Sequence, residues 1–299
     1  MLFASGCISK EGNEKSNNTK STPTTEQSQD AIDESEQTYP EKATDYNLVF
    51  IPVNIQDSDY FNRIVDEYLD TEEPVNTFET MKECGIEFNK LERGLFTQEP
   101  YKSNKELFTV EVLPNIDYVL NSFEEYLKDN YLISKFKFRE NDVPIFVINT
   151  GGLEGGVAGN CSSKNKYIKL FLTLSEEEIE KRLNCGIMLN DYALTHELSH
   201  YFGLTDERLL EGEQKNEVFP NCTTREDAEK SWGNLVGNGE GVLRVGYFQG
   251  CDKYPDYVRP TEWSLMGSNL PGRIYDHPEV LGDRILGEFN IRYIEGKLN

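Results

Sequence analysis

Apolar residues are almost absent from Ile8 to about Asp45, then return in runs that alternate between strand and helix periods. Leu48–Ile55 reads as a strand with both faces buried. Asp57 is placed to cap a helix whose apolar side carries Tyr60, Phe61, Ile64, Val65, Tyr68 and Leu69. Leu107–Leu113 alternates as a strand and is ended by Pro114. Ile116, Val119, Leu120, Phe123, Tyr126 and Leu127 mark a second helix. Val143–Asn149 is a continuous apolar run, as in a central strand, and Tyr167–Leu174 alternates again. Ser175 with Glu178 forms a capping box for a helix to about Leu183. A further helix is expected from Asn190 to Phe202, packing through Ala193, Leu194, Leu198, Tyr201 and Phe202. A last helix is expected from Pro278 to about Lys297, because proline suits a first helical turn.

This order predicts an α+β fold: a twisted, mostly parallel mixed sheet with packed helices, then an irregular C-terminal subdomain ending in a helix. The catalytic or binding domain is expected over residues 46–299. Residues 8–45, rich in Ser, Thr, Asn, Gln, Glu and Lys, bury too little apolar surface to offset ordering entropy and read as a disordered tether. The glycine-rich stretch Gly151–Gly159 lacks the Gly-Lys-Ser/Thr ending of a phosphate-binding loop and is expected to form a flexible rim.

Chemistry concentrates in Thr195-His196-Glu197-Leu198-Ser199-His200-Tyr201-Phe202-Gly203-Leu204-Thr205-Asp206. The chain has 3 histidines, so placing two of them four residues apart commits most of its imidazole to one spot. On a helix those two side chains share a face about 6 Å apart along the axis and can grip one Zn²⁺. Glu197 then stands where it can act as base toward a water at the ion. Gly203 can reverse the chain without steric penalty, which lets Asp206 return as a third, oxygen ligand. Three protein ligands with a fourth position open is the catalytic pattern rather than the structural one. A bland alternative is a helix whose polar face happens to carry His, Glu and His.

His196, Glu197, His200, Gly203 and Asp206 match, position by position, the long motif of the metzincin metallopeptidases, H-E-x-x-H-x-x-G-x-x-[HD], which the chain therefore resembles. Trp263-Ser264-Leu265-Met266-Gly267-Ser268 resembles the Met-turn of that family, in which the Met266 position underlies the metal. Several metzincins carry Tyr two residues after that Met, where this chain has Ser268. Tyr275 and His277 are the nearby candidates for contacting a substrate or an oxyanion. A looser similarity to IgA-peptidase-type metallopeptidases spans about Tyr46 to Asp283. It rests on Leu48–Asn54 and the amphipathic stretch after it, on Val143–Asn149 followed by Gly151-Gly152-Leu153-Glu154-Gly155-Gly156, and on Leu204, Asp206 and Glu207. The interval from His200 to Asp206 is one residue shorter than in that group. The resemblance implies a zinc-dependent endopeptidase acting, as a monomer, on a protein or peptide.

Composition bounds partners and location. The net charge of -23 opposes direct binding to nucleic acid or an anionic membrane. Residues 1–7, ending Leu2-Phe3-Ala4-Ser5-Gly6-Cys7, resemble the end of a lipoprotein signal without its charged start and apolar core. Either Cys7 is a lipid anchor, which makes the protein extracellular and tethered, or it is incidental to the tail and the protein is secreted. The 6 cysteines (Cys7, Cys84, Cys161, Cys185, Cys222 and Cys251) include no C-x-x-C pair, which argues against a second zinc. Up to two disulfides fit, with the pairing open. Cys222 and Cys251 are placed to pin the loops after the zinc helix. The sheet strand nearest the cleft, around Tyr167–Leu174, is expected to pair with an extended peptide. Two rivals stand. A thermolysin-like site would use Glu226 or Glu229 as third ligand, and a catalytically inactive, surface-tethered binding protein would retain the metal site alone.

Overall fold

The computed structural model describes residues 46–70, 94–118, 131–151, 159–162, 166–173, 192–208, 219–267 and 283–299, with single positions between. Cys7, the expected tether, Ser268, Tyr275 and His277 lie outside the described residues, as does most of the helix expected after Ser175.

The apolar runs become the sheet. β1 (Tyr46–Val53), β2 (Phe108–Val112), β3 (Asp142–Asn149), β4 (Gly159–Ser162) and β5 (Tyr167–Leu172) stand in the order β2-β1-β3-β5-β4. The first three neighbouring pairs are parallel and β4 runs antiparallel to β5. Alternate residues face opposite sides of a strand. Leu48, Phe50, Ile145, Val147, Ile168, Leu170 and Leu172 therefore enter one core. Val49, Ile51, Val53, Phe146, Ile148, Tyr167 and Phe171 enter a second core on the other face. Burial on both faces explains the unbroken apolar run of β3.

The first core lies under α1 (Ser58–Asp70), α3 (Ala193–Tyr201) and part of α5 (Glu288–Leu298). Asp57 caps α1 as expected: its Oδ1 accepts from the amides of Asp59 and Tyr60 at 2.9 and 3.0 Å. Phe61, Ile64, Val65, Tyr68 and Leu69 then point inward. The second core is closed by Leu113, Ile116, Tyr118 and the segment around the short helix α2 (Tyr131–Ser134).

Three expectations are corrected. Ile116 does not begin a helix: its amide bonds the Pro52 carbonyl and it bridges Val53, so the edge beside β1 is prolonged, and positions beyond Tyr118 lie largely outside the described residues. Most of the rim expected over Gly151–Gly159 lies outside the described residues, and Gly159 opens the strand β4. β5 is interior, held by β3 and β4, so its backbone groups are already committed and it cannot receive a peptide. The last helix begins at Glu288, not at Pro278. Residues 283–286 form turns and Gly287 takes φ 78°, a value that breaks helix continuity.

The C-terminal part adds α4 (Arg225–Trp232) and a hairpin of β6 (Phe248–Cys251) with β7 (Tyr254–Arg259). Thr224 caps α4, accepting from the Asp227 amide. Ala228, Trp232, Leu235, Val245, Val258 and Phe289 form its own small core. Among the described residues no helix is long and apolar enough to cross a membrane.

Candidate metal centre

α3 is the scaffold of the site. It begins at Ala193, later than expected, because Tyr192 sits in the left-handed region at φ 56°. Every residue from Ala193 to His200 is buried. The helix ends in a paired reversal: the Gly203 amide bonds the His200 carbonyl and the Leu204 amide bonds the Ser199 carbonyl. This closure needs the backbone at Gly203, with φ 101°, where a side chain would be strained and its Cβ would lie 3.3 Å from the Tyr293 hydroxyl. Buried Leu204 then docks below the last turn, and the chain runs back past the two histidines as Thr205-Asp206-Glu207.

The reversal brings three donors together. His196 Nε2 and His200 Nε2 are 3.0 Å apart. Asp206 Oδ1 lies 3.6 Å from the first and 3.9 Å from the second. A point equidistant from the three atoms is about 2.1 Å from each, the length of a metal–imidazole bond. His196, His200 and Asp206 thus form a buried group able to hold a metal ion.

The tautomers fit the same use. His196 Nδ1 lies 3.1 Å from the Leu265 carbonyl and His200 Nδ1 lies 2.9 Å from the Leu204 carbonyl. A carbonyl only accepts, so each Nδ1 carries the proton and each Nε2 presents its lone pair. Two lone pairs and a carboxylate oxygen then converge without a donor among them, and Asp206 Oδ1 is buried with no hydrogen bond. A divalent cation relieves that arrangement. Titration behaviour points the same way. Burial pushes the Asp206 carboxyl up to about 8, against the pull of Arg208, whose Nε is 4.0 Å away. Burial, then the neighbouring His200, holds His196 well below the usual imidazole range. Burial therefore disfavours the charged forms of Asp206 and His196, and a cation held between them would draw Asp206 into its carboxylate form.

The loop carrying Asp206 is clamped from outside α3. The Asn221 side chain receives the Thr205 amide at 2.9 Å and donates to the Thr205 carbonyl at 2.8 Å. The Asp252 amide bonds the Asp206 carbonyl at 3.0 Å. Asn221 and Asp252 each adjoin a cysteine of the Cys222–Cys251 disulfide, which closes a separation of 29 residues. Replacing both cysteines with serine is expected to cost about 3–4 kcal/mol by the loop-entropy relation, read as a lower urea midpoint with a slope that rises as the unlinked denatured chain expands. Cys161 is a buried thiol on β4.

Glu197 is buried on α3, one residue beyond His196 and one turn before His200. Met266 is fully buried, and its carbonyl accepts the Glu207 amide at 2.8 Å, which ties the expected Met-turn to the ligand loop. The rival third ligands are corrected by position. Glu226 and Glu229 stand exposed on α4, paired with Lys230 and Arg225, and neither belongs to the metal-holding group. Asp206→Ala is therefore expected to weaken metal affinity by more than about 100-fold while Glu226→Ala leaves it unchanged, as read by titration with a chromophoric chelator competitor. Sequence reasoning missed the orienting carbonyls of Leu204 and Leu265, which carry no side-chain signal, and Asn221, whose role depends on contacts 14 and 16 residues away. No protein-family model matches the chain, and no curated protein matches it either.

Proposed function

We propose that this chain is a zinc-dependent endopeptidase of metzincin type. The carrying observation is the convergence of two imidazole lone pairs and one carboxylate oxygen on a single buried point, with Glu197 on the same helix. Two nitrogens and one oxygen from protein are one ligand short of a closed tetrahedral shell, which suits Zn²⁺ in a hydrolytic rather than a structural role. Zinc held there supplies a Lewis acid that brings the pKa of water to about 7 and polarises a carbonyl oxygen.

The chain's own residues supply the rest. His196 and His200 present Nε2 because the Leu265 and Leu204 carbonyls hold the opposite nitrogens. Asp206 contributes the oxygen and one negative charge. Glu197 takes the proton of the attacking water and passes it to the leaving amine. The substrate backbone binds extended beside α3. The same reading places the protein outside the cell, anchored through Cys7 or secreted.

Incubation with casein or a peptide library, with zinc and with a chelator, tests the proposal. Hydrolysis that requires zinc and stops with chelator is expected. A clean negative from protein carrying one zinc per chain would favour the binding-protein alternative.

A further inference from the structure

Glu207 follows the third ligand, and its carboxylate meets groups other than those around Asp206. Its side chain is completely buried, at 0% exposure, yet all four of its contacts are donors. Oε1 accepts from Asn221 Nδ2 at 3.2 Å and from Asn290 Nδ2 at 2.6 Å. Oε2 accepts from the Thr261 and Ser264 hydroxyls, each at 2.8 Å. These four donors come from the segment before α4, the stretch after β7 that leads into the Met266 turn, and α5. The Glu207 amide adds a fifth tie, to the Met266 carbonyl.

A carboxylate buried this deeply is costly to desolvate, and a well-packed apolar residue would give the core equal or greater stability. What the network supplies is position. Four donors from three segments fix one carboxylate, and its peptide neighbour is Asp206, whose Oδ1 has no hydrogen bond of its own. We infer that Glu207 is a positioning residue that acts through Asp206. By pinning the chain one step beyond the ligand, it holds Asp206 Oδ1 at the distance from the two imidazoles that a metal requires. This inference rests on the metal-site reading.

A double-mutant cycle on Co²⁺ and Zn²⁺ binding by the full chain tests it. Glu207→Ala is expected to lower metal affinity about 10–100-fold and to give the cobalt absorption spectrum of Asp206→Ala. In the Asp206→Ala background, Glu207→Ala should add no further loss. Glu207→Gln should restore affinity and spectrum, because its Oε1 still serves the two asparagines and its amide can donate to the hydroxyls of Thr261 and Ser264 once they turn to accept. Additive losses in the cycle, or a wild-type cobalt spectrum in Glu207→Ala, overturn the inference. Should Glu207→Ala not fold, Glu207→Asp carries the same comparison, with its shorter side chain drawing Asp206 out of register. Absence of metal uptake by the unaltered protein would instead overturn the reading beneath it.

Discussion

Glu197→Gln is expected to leave one metal per chain and to lower peptide hydrolysis by about 10²–10⁴-fold, the contribution of a positioned general base. The residue is 1% exposed, so an isosteric replacement keeps the packing of α3 and removes only basicity. It stands outside the His196–His200–Asp206 group, so metal content should not change. His200→Ala should behave in the opposite way, losing the ion altogether by atomic absorption and activity with it. The two variants together separate loss of the base from loss of the centre. Wild-type turnover by purified Glu197→Gln protein would remove Glu197 from the chemistry and leave the metal group as a binding device only.

The metal-holding group His196, His200 and Asp206 is legible in the sequence, and the reason is locality. His196, His200 and Gly203 interact through a helix and its terminus, where spacing alone fixes geometry. The outcome is the observed closure, with Gly203 at φ 101°. The strands β1, β3 and β5 were equally legible because both of their faces are buried and their apolar runs show it. β4 was not. It is four residues long, and its pairing to β5 is set by a partner across a connection rather than by its own composition. α4 carried a readable signal in Thr224 followed by Asp227, yet its apolar stripe is reduced to Ala228 and Trp232. Tyr192 makes α3 start late through a backbone conformation that tyrosine seldom adopts, so no propensity argument anticipates it. The hydrogen bonds that orient the site come from carbonyls and from Asn221, Thr261, Ser264 and Asn290, and they exist only once distant segments have met.

The pH dependence of stability should change its form when metal is added. In metal-free protein the Asp206 carboxyl titrates near 8 in the fold, against an ordinary value of 3.8. Between those values the folded chain holds a proton that the unfolded chain has released. Unfolding then releases a proton, and stability falls as pH rises. His196 acts in the other direction. Its folded value lies well below 6.5, so below that pH unfolding takes up a proton and acid destabilises. The two slopes oppose each other below about 6.5, whereas from there to about 8 His196 no longer opposes Asp206; burial raises the neighbouring Glu207 carboxyl too, which acts with the same sign as Asp206. Through Asp206, chelator-treated protein should therefore lose about 1.6 kcal/mol between pH 6.5 and 8, less than the limit of about 1.4 kcal/mol per pH unit because the carboxyl is half titrated at about 8. Saturating zinc requires the carboxylate form, so the folded state no longer carries that proton and this part of the decline disappears. The stabilisation given by zinc grows across the same window, because binding must displace a proton below pH 8 and need not do so above it. Denaturant titrations at pH 6.5, 7.2 and 8, with zinc and with chelator, read both effects, and Asp206→Ala should flatten the metal-free slope. Parallel stability curves with and without zinc would mean that the buried carboxylate and the ion do not share a site.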